Sequence, residues 1–64
     1  MNMGLKERFL RVYGNLPLSL REDVVLTLGE KDIPMTWNAV YFEIKSDSEV
    51  SQELLEKLSA LGFI

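Results

Sequence analysis

The sequence predicts a small α+β domain in the order helix, β-hairpin, helix, helix. Three observations predict it: apolar residues at helical spacing towards both ends of the chain, a β-branched run at Val24–Leu28 broken by Gly29-Glu30-Lys31-Asp32, and a return to helical spacing after Thr36. The 64 residues read as one compact domain, 1–64, with no linker, repeat or low-complexity segment. At that length a domain buries only about 60% of the surface its unfolded chain exposes.

In the first element, Leu5, Phe9, Val12 and Tyr13 fall on one face of a helix over residues 4–14, with Lys6, Glu7, Arg8 and Arg11 around the rest of the cylinder. Gly14-Asn15 tolerates positive φ and Pro17 disfavours helix at Leu16, so this helix should stop near Tyr13. Ser19-Leu20-Arg21-Glu22 has the form of a capping box, yet Val24-Val25-Leu26-Thr27-Leu28 after it is β-branched and of strand length. The strand reading is preferred, because Gly29–Asp32 is a four-residue loop of the kind that closes hairpins, and Ile33 to Trp37 alternates large apolar residues with Pro34 and Thr36. Pro34 has no N–H to give to a ladder and marks an edge strand.

After Thr36, a plausible N-cap, the set Trp37, Val40, Tyr41 and Ile44 follows i, i+3, i+4, i+7 and predicts a helix over 37–45. The alternative is a third strand with Val40, Phe42 and Ile44 on one face, giving helix, three-stranded antiparallel sheet, helix. Asp47 or Ser48 is placed to cap the last helix, whose stripe is Val50, Leu54, Leu58 and Leu61. Glu53 and Lys57 form an i,i+4 pair on it, and Gly62 ends it. The hairpin's inner face is expected to lie against the first and last helices, since a two-stranded hairpin is marginal without cover.

The composition withholds ordinary catalytic machinery. With no Cys and no His there is no disulfide, thiolate or imidazole base, and the usual zinc chemistry is absent. The carboxylate pairs Glu22-Asp23, Glu30/Asp32 and Asp47/Glu49 read as cap and turn residues rather than as acid–base or cation sites. Glycines 4, 14, 29 and 62 are scattered and form no phosphate-cradling loop. The chain is therefore expected to be no enzyme, with no cofactor, no metal and no small-molecule ligand. No apolar run approaches the ~18 residues of a membrane span, and the start Met-Asn-Met-Gly-Leu-Lys lacks a signal-peptide apolar region, so the expected setting is cytoplasmic and off the membrane.

A partner is the remaining support for so small a chain, and 47% hydrophobic residues are more than one small core hides. Leu10 and Leu55 lie about 100° from the centres of their stripes, and Phe42 lies farther from its own, which makes these three the candidate interaction residues. Arg8 and Arg11 share one side of the first helix, while Glu49, Glu53 and Glu56 form a ridge on the last, a complementarity that a homodimer can use. Trp37 and Tyr13 read as core. The expectation is a self-associating protein-interaction module. The alternative is a small regulatory nucleic-acid-binding protein that uses Lys6, Arg8, Arg11 and Arg21 in its basic N-terminal third. A net charge of −3 makes nucleic acid the less expected partner.

In Leu16-Pro17-Leu18-x-Leu20-Arg21, Thr36-Trp37, Glu43-Ile44, the run Glu53-Leu54-Leu55-Glu56-Lys57-Leu58 and the ending Gly62-Phe63-Ile64, the chain resembles small uncharacterised archaeal proteins of similar length. The resemblance implies no activity and transfers no site residue.

Overall fold

The computed structural model describes residues 4–64; Met1 to Met3, read above for targeting signals, lie outside them. The elements are α1 (Leu5–Gly14), a 3-10 turn (Leu18–Leu20), β1 (Val24–Leu28), β2 (Ile33–Thr36), α2 (Trp37–Lys45) and α3 (Ser51–Ala60). The order is helix, hairpin, helix, helix. The three-stranded alternative is overturned, because residues 37–45 are helical.

The start of α2 shows why. β2 runs directly into it, and the first three amides of a helix have no intrahelical acceptor. All three are satisfied here: Trp37 N donates to Asp23 O at 3.2 Å, Asn38 N to Arg21 O at 3.0 Å, and Ala39 N to the Thr36 hydroxyl at 3.1 Å. This also settles the conflict at Ser19–Glu22. The segment makes one 3-10 turn, held by Leu20 N to Pro17 O at 3.0 Å and Arg21 N to Leu18 O at 3.2 Å, and then gives its carbonyls to α2 instead of starting a helix of its own.

The hairpin pairs Leu26 with Met35, Thr27 with Pro34 and Leu28 with Ile33, but Val24 with Thr36, so Val25 is an extra residue in a β-bulge. An inserted residue reverses the in–out parity of everything before it. Leu26 accordingly faces the core while Val24, two residues earlier, is exposed. Pro34 stands opposite Thr27, whose carbonyl accepts from Lys57 Nζ on α3. That carbonyl thus points away from β2, which marks the pair as the non-hydrogen-bonded kind and leaves the ladder no need of a Pro34 N–H.

α2 and α3 end alike. Gly62 at φ 87 closes α3, with Gly62 N to Ser59 O at 3.1 Å and Phe63 N to Leu58 O at 2.9 Å, the paired bonds of a Schellman motif. Asp47, at φ 51, takes the equivalent left-handed place after α2, with Asp47 N to Ile44 O at 3.2 Å and Ser48 N to Glu43 O at 3.1 Å. The expected N-cap of α3 at Asp47 or Ser48 is therefore corrected. Asp47 serves the C-terminus of α2, and α3 begins after Val50 with no side-chain cap.

Phe9, Leu26, Trp37, Val40, Ile44, Leu54, Leu55 and Leu58 form one buried cluster. α2 is the shared element, touching α1, α3 and β2. The helix that meets the hairpin is therefore α2, through β2, and not chiefly α1 and α3 as expected, while α3 reaches β1 through Lys57 on the Thr27 carbonyl.

Candidate functional site

The surface that can meet another molecule is set by what the core leaves out. Phe42 lies on the side of α2 away from Val40 and Ile44 and is 67% exposed. Leu10 is 40% exposed on α1. Leu55 is 6% exposed and belongs to the core, which corrects its candidacy as a surface residue. Its position about 100° from the stripe centre did not leave it outside, because α3 is covered from more than one direction, by α1 and by α2.

α1 and α2 run antiparallel side by side. Lys6, near the start of α1, pairs with Asp47 just past the end of α2 at 3.3 Å, while Tyr13, near the end of α1, stacks on Tyr41 with ring centroids 4.3 Å apart and planes 1° from parallel. Leu10 sits between Lys6 and Tyr13 on the same flank of α1, about one turn from each. Leu10 therefore borders the α1–α2 seam.

Tyr13 anchors a polar network that spacing did not reveal. Its hydroxyl donates to Asn38 Oδ1, Asn38 Nδ2 donates to Glu22 Oε1, Arg21 Nη2 donates to Tyr13 O at 3.1 Å, and the Arg21 guanidinium lies 4.3 Å from the Tyr13 ring centroid. The Tyr13 hydroxyl is thus satisfied within the chain. Lys45 Nζ lies 5.8 Å from the centroid of the Tyr41 ring. Trp37 is buried as expected, with Phe63 meeting it edge-on at 5.7 Å. The signal available in sequence was the pair of tyrosines on two facing stripes; nothing in the spacing pointed to Arg21, Asn38 and Glu22 converging on them.

The charged residues divide into used and free. Of the four cations in the N-terminal third, Lys6 is paired with Asp47 and Arg21 is stacked on Tyr13. Arg8 and Arg11 are exposed, as are Glu49, Glu53 and Glu56. Lys6–Asp47 is the one ion pair among the described residues, so the arginines do not meet the acidic ridge within the chain, and Lys57 reaches the Thr27 carbonyl rather than Glu53. The carboxylate pairs do structural work: Glu22 accepts from Asn38, Asp32 (φ 50) turns the hairpin, and Asp47 caps α2. Among the described residues no group of three carboxylates is arranged to hold a metal ion.

Fold and surface together define a small α+β domain that offers apolar and charged faces. No helix of the described residues is long and apolar enough to cross a membrane. No family model, curated protein or solved structure matches the chain.

Proposed function

We propose that this chain is a non-enzymatic protein-interaction module of the cytoplasm that associates with itself, through Leu10 and Phe42 with Arg8 and Arg11 at the rim. The supporting observation is the apolar surface left outside a normally packed core. Its accessible area, 4450 Å², is near the roughly 4,200 Å² that scaling gives for a mass of 7.3 kDa, so the chain is not loosely folded. Among the described residues eight large apolar side chains nevertheless stand exposed, Phe42 most completely of those on an α-helix and only Leu18 of the 3-10 turn more so. Scattered exposed leucines are ordinary; an exposed phenylalanine opposite a well-filled helical stripe is the less ordinary feature.

Nucleic-acid binding has less support. With Lys6 and Arg21 engaged internally, Arg8 and Arg11 could neutralise only about two phosphates, too small a counterion release to hold an acidic protein on a polyanion at physiological salt.

Self-association binds the native state alone, so it raises the melting temperature as protein concentration rises. The wild type is expected to show that rise, and the Leu10→Ser, Phe42→Ser double variant to lose it. A melting temperature independent of concentration in the wild type would remove the proposal.

A further inference from the structure

Resting on that self-association, we infer that two copies close face to face on a two-fold axis, with α2 antiparallel to its copy, Phe42 at the centre and Lys45 of each chain against Glu22 of the other. The apolar part of the contact is one patch. Tyr13 reaches Asn38 and Tyr41 at one end of the α1–α2 seam and Lys6 reaches Asp47 at the other, so Leu10, between Lys6 and Tyr13, lies level with Phe42, between Asn38 and Asp47. At about 100° per residue, Leu10 stands about 40–60° round α1 from Lys6 and Tyr13, and Phe42 the same angle round α2 from Asn38 and Lys45. Both are exposed, so they flank the seam on its solvent side. Arg8 and Arg11 lie on the other flank of α1 and stay at the rim.

A single patch that meets its own copy makes an isologous contact, which closes at two chains. The charges at its ends choose between the two ways of turning the copy. Lys45 is exposed at the C-terminal end of α2, and Glu22 is exposed beside Asn38 at the N-terminal end. Neither has an ion-pair partner among the described residues, whereas Lys6 and Asp47 neutralise each other. An axis along the helices sets each end of the patch on its own kind, Lys45 near Lys45 and Glu22 near Glu22. An axis across them lays Phe42 on Phe42 and sets Lys45 against Glu22 twice, with the two α2 dipoles opposed. α1 and α2 have ten and nine residues, about 15 Å of helix each. The shared face is therefore at the small end of specific interfaces, and the dimer should come apart on dilution.

The test follows the full chain by light scattering at moderate salt as wild type, Lys45→Glu, Glu22→Lys and the double swap, with Trp37 fluorescence to check that each is folded. The wild-type mass should rise with concentration and level off at twice the protomer mass. Each single swap turns two attractive pairs into two repulsive ones and should weaken association about tenfold. The double swap should restore it, and so should an equimolar mixture of the two single swaps, since every cross-chain pair in that mixed dimer is again of opposite sign. Within its own chain Lys45→Glu gives up only a 5.8 Å approach to the Tyr41 ring, so it carries the test should Glu22→Lys, which loses the Asn38 bond, fail to fold. A wild-type mass that passes twice the protomer mass overturns the closed contact and leaves self-association standing. A folded Lys45→Glu that associates like the wild type, or a mixture that associates no better than its parts, overturns the antiparallel pairing. A wild type that stays monomeric at every concentration refutes self-association itself.

Discussion

Replacing Leu55 with alanine should destabilise the fold by about 2–4 kcal/mol, whereas the same truncation at Phe42 should change stability by no more than about 0.5 kcal/mol. Leu55 is 6% exposed within the cluster that includes Leu54, Leu58 and Ile44. Removing its three outer carbons forfeits about 0.8 kcal/mol each in transfer free energy, near 2.4 kcal/mol, before any cavity term is added. Phe42 stands 67% exposed, so its truncation returns little area to water. At about 0.05–0.15 kcal/mol per residue, the whole domain is stable by about 3–10 kcal/mol, so the Leu55 variant sits close to unfolding. Urea unfolding followed by the fluorescence of buried Trp37, at a protein concentration low enough to keep chains apart, reads both variants on one scale. In a domain this small each kcal/mol shifts the midpoint by about 4–8 °C, so Leu55→Ala should melt at least about 10 °C below the wild type. A loss under about 1 kcal/mol, or a loss equal to that of Phe42→Ala, would refute the placement of Leu55 in the core.

Asp47 separates two capping roles: both variants lose the exposed Lys6 pair, so Asp47→Gly, which suits a left-handed C-terminal position, should exceed Asp47→Ser, which suits an N-cap, by about 1 kcal/mol in thermal melts. The reverse order would return Asp47 to α3. Thr36→Ala should lose about 1 kcal/mol and Thr36→Ser much less, because the hydroxyl holds the Ala39 amide. Equal losses in urea titrations would mean that the methyl group matters more than the cap. Tyr13→Phe should cost about 0.5–1.5 kcal/mol and Asn38→Ala somewhat more, since it also loses the bond to Glu22, and a double-mutant cycle should show them non-additive, because both remove the bond they share. Additive losses would show that the two side chains act separately.

The elements themselves were legible because their signals are local. The β-branched run at Val24–Leu28 and the left-handed closure at Gly62 need only neighbours in sequence, and the structure has both where they were expected. What was not legible depends on partners that the local pattern does not name. The bulge at Val25 is fixed by the register against β2 and turns Val24 outward against simple alternation. Asp47 looks like an N-cap when read from its right-hand neighbours, but its own bond to the Ile44 carbonyl and that of Ser48 to Glu43 claim it for α2. The burial of Leu55 needs a second neighbouring helix, which a single-helix wheel does not contain. The surface was half legible: Phe42 and Leu10 are exposed as their angles imply, while the internal use of Lys6 and Arg21, which narrows the basic face to Arg8 and Arg11, comes from partners 41 and 8 residues away.

The most direct test of the central claim is the molar mass in solution, measured by light scattering from micromolar to millimolar chain at moderate salt, for the wild type beside the Leu10→Ser, Phe42→Ser double variant. Self-association through these residues predicts a wild-type mass that climbs above 7.3 kDa with concentration and a variant that stays at the protomer mass. A wild type that holds the protomer mass throughout, or a variant that climbs with it, would contradict the account.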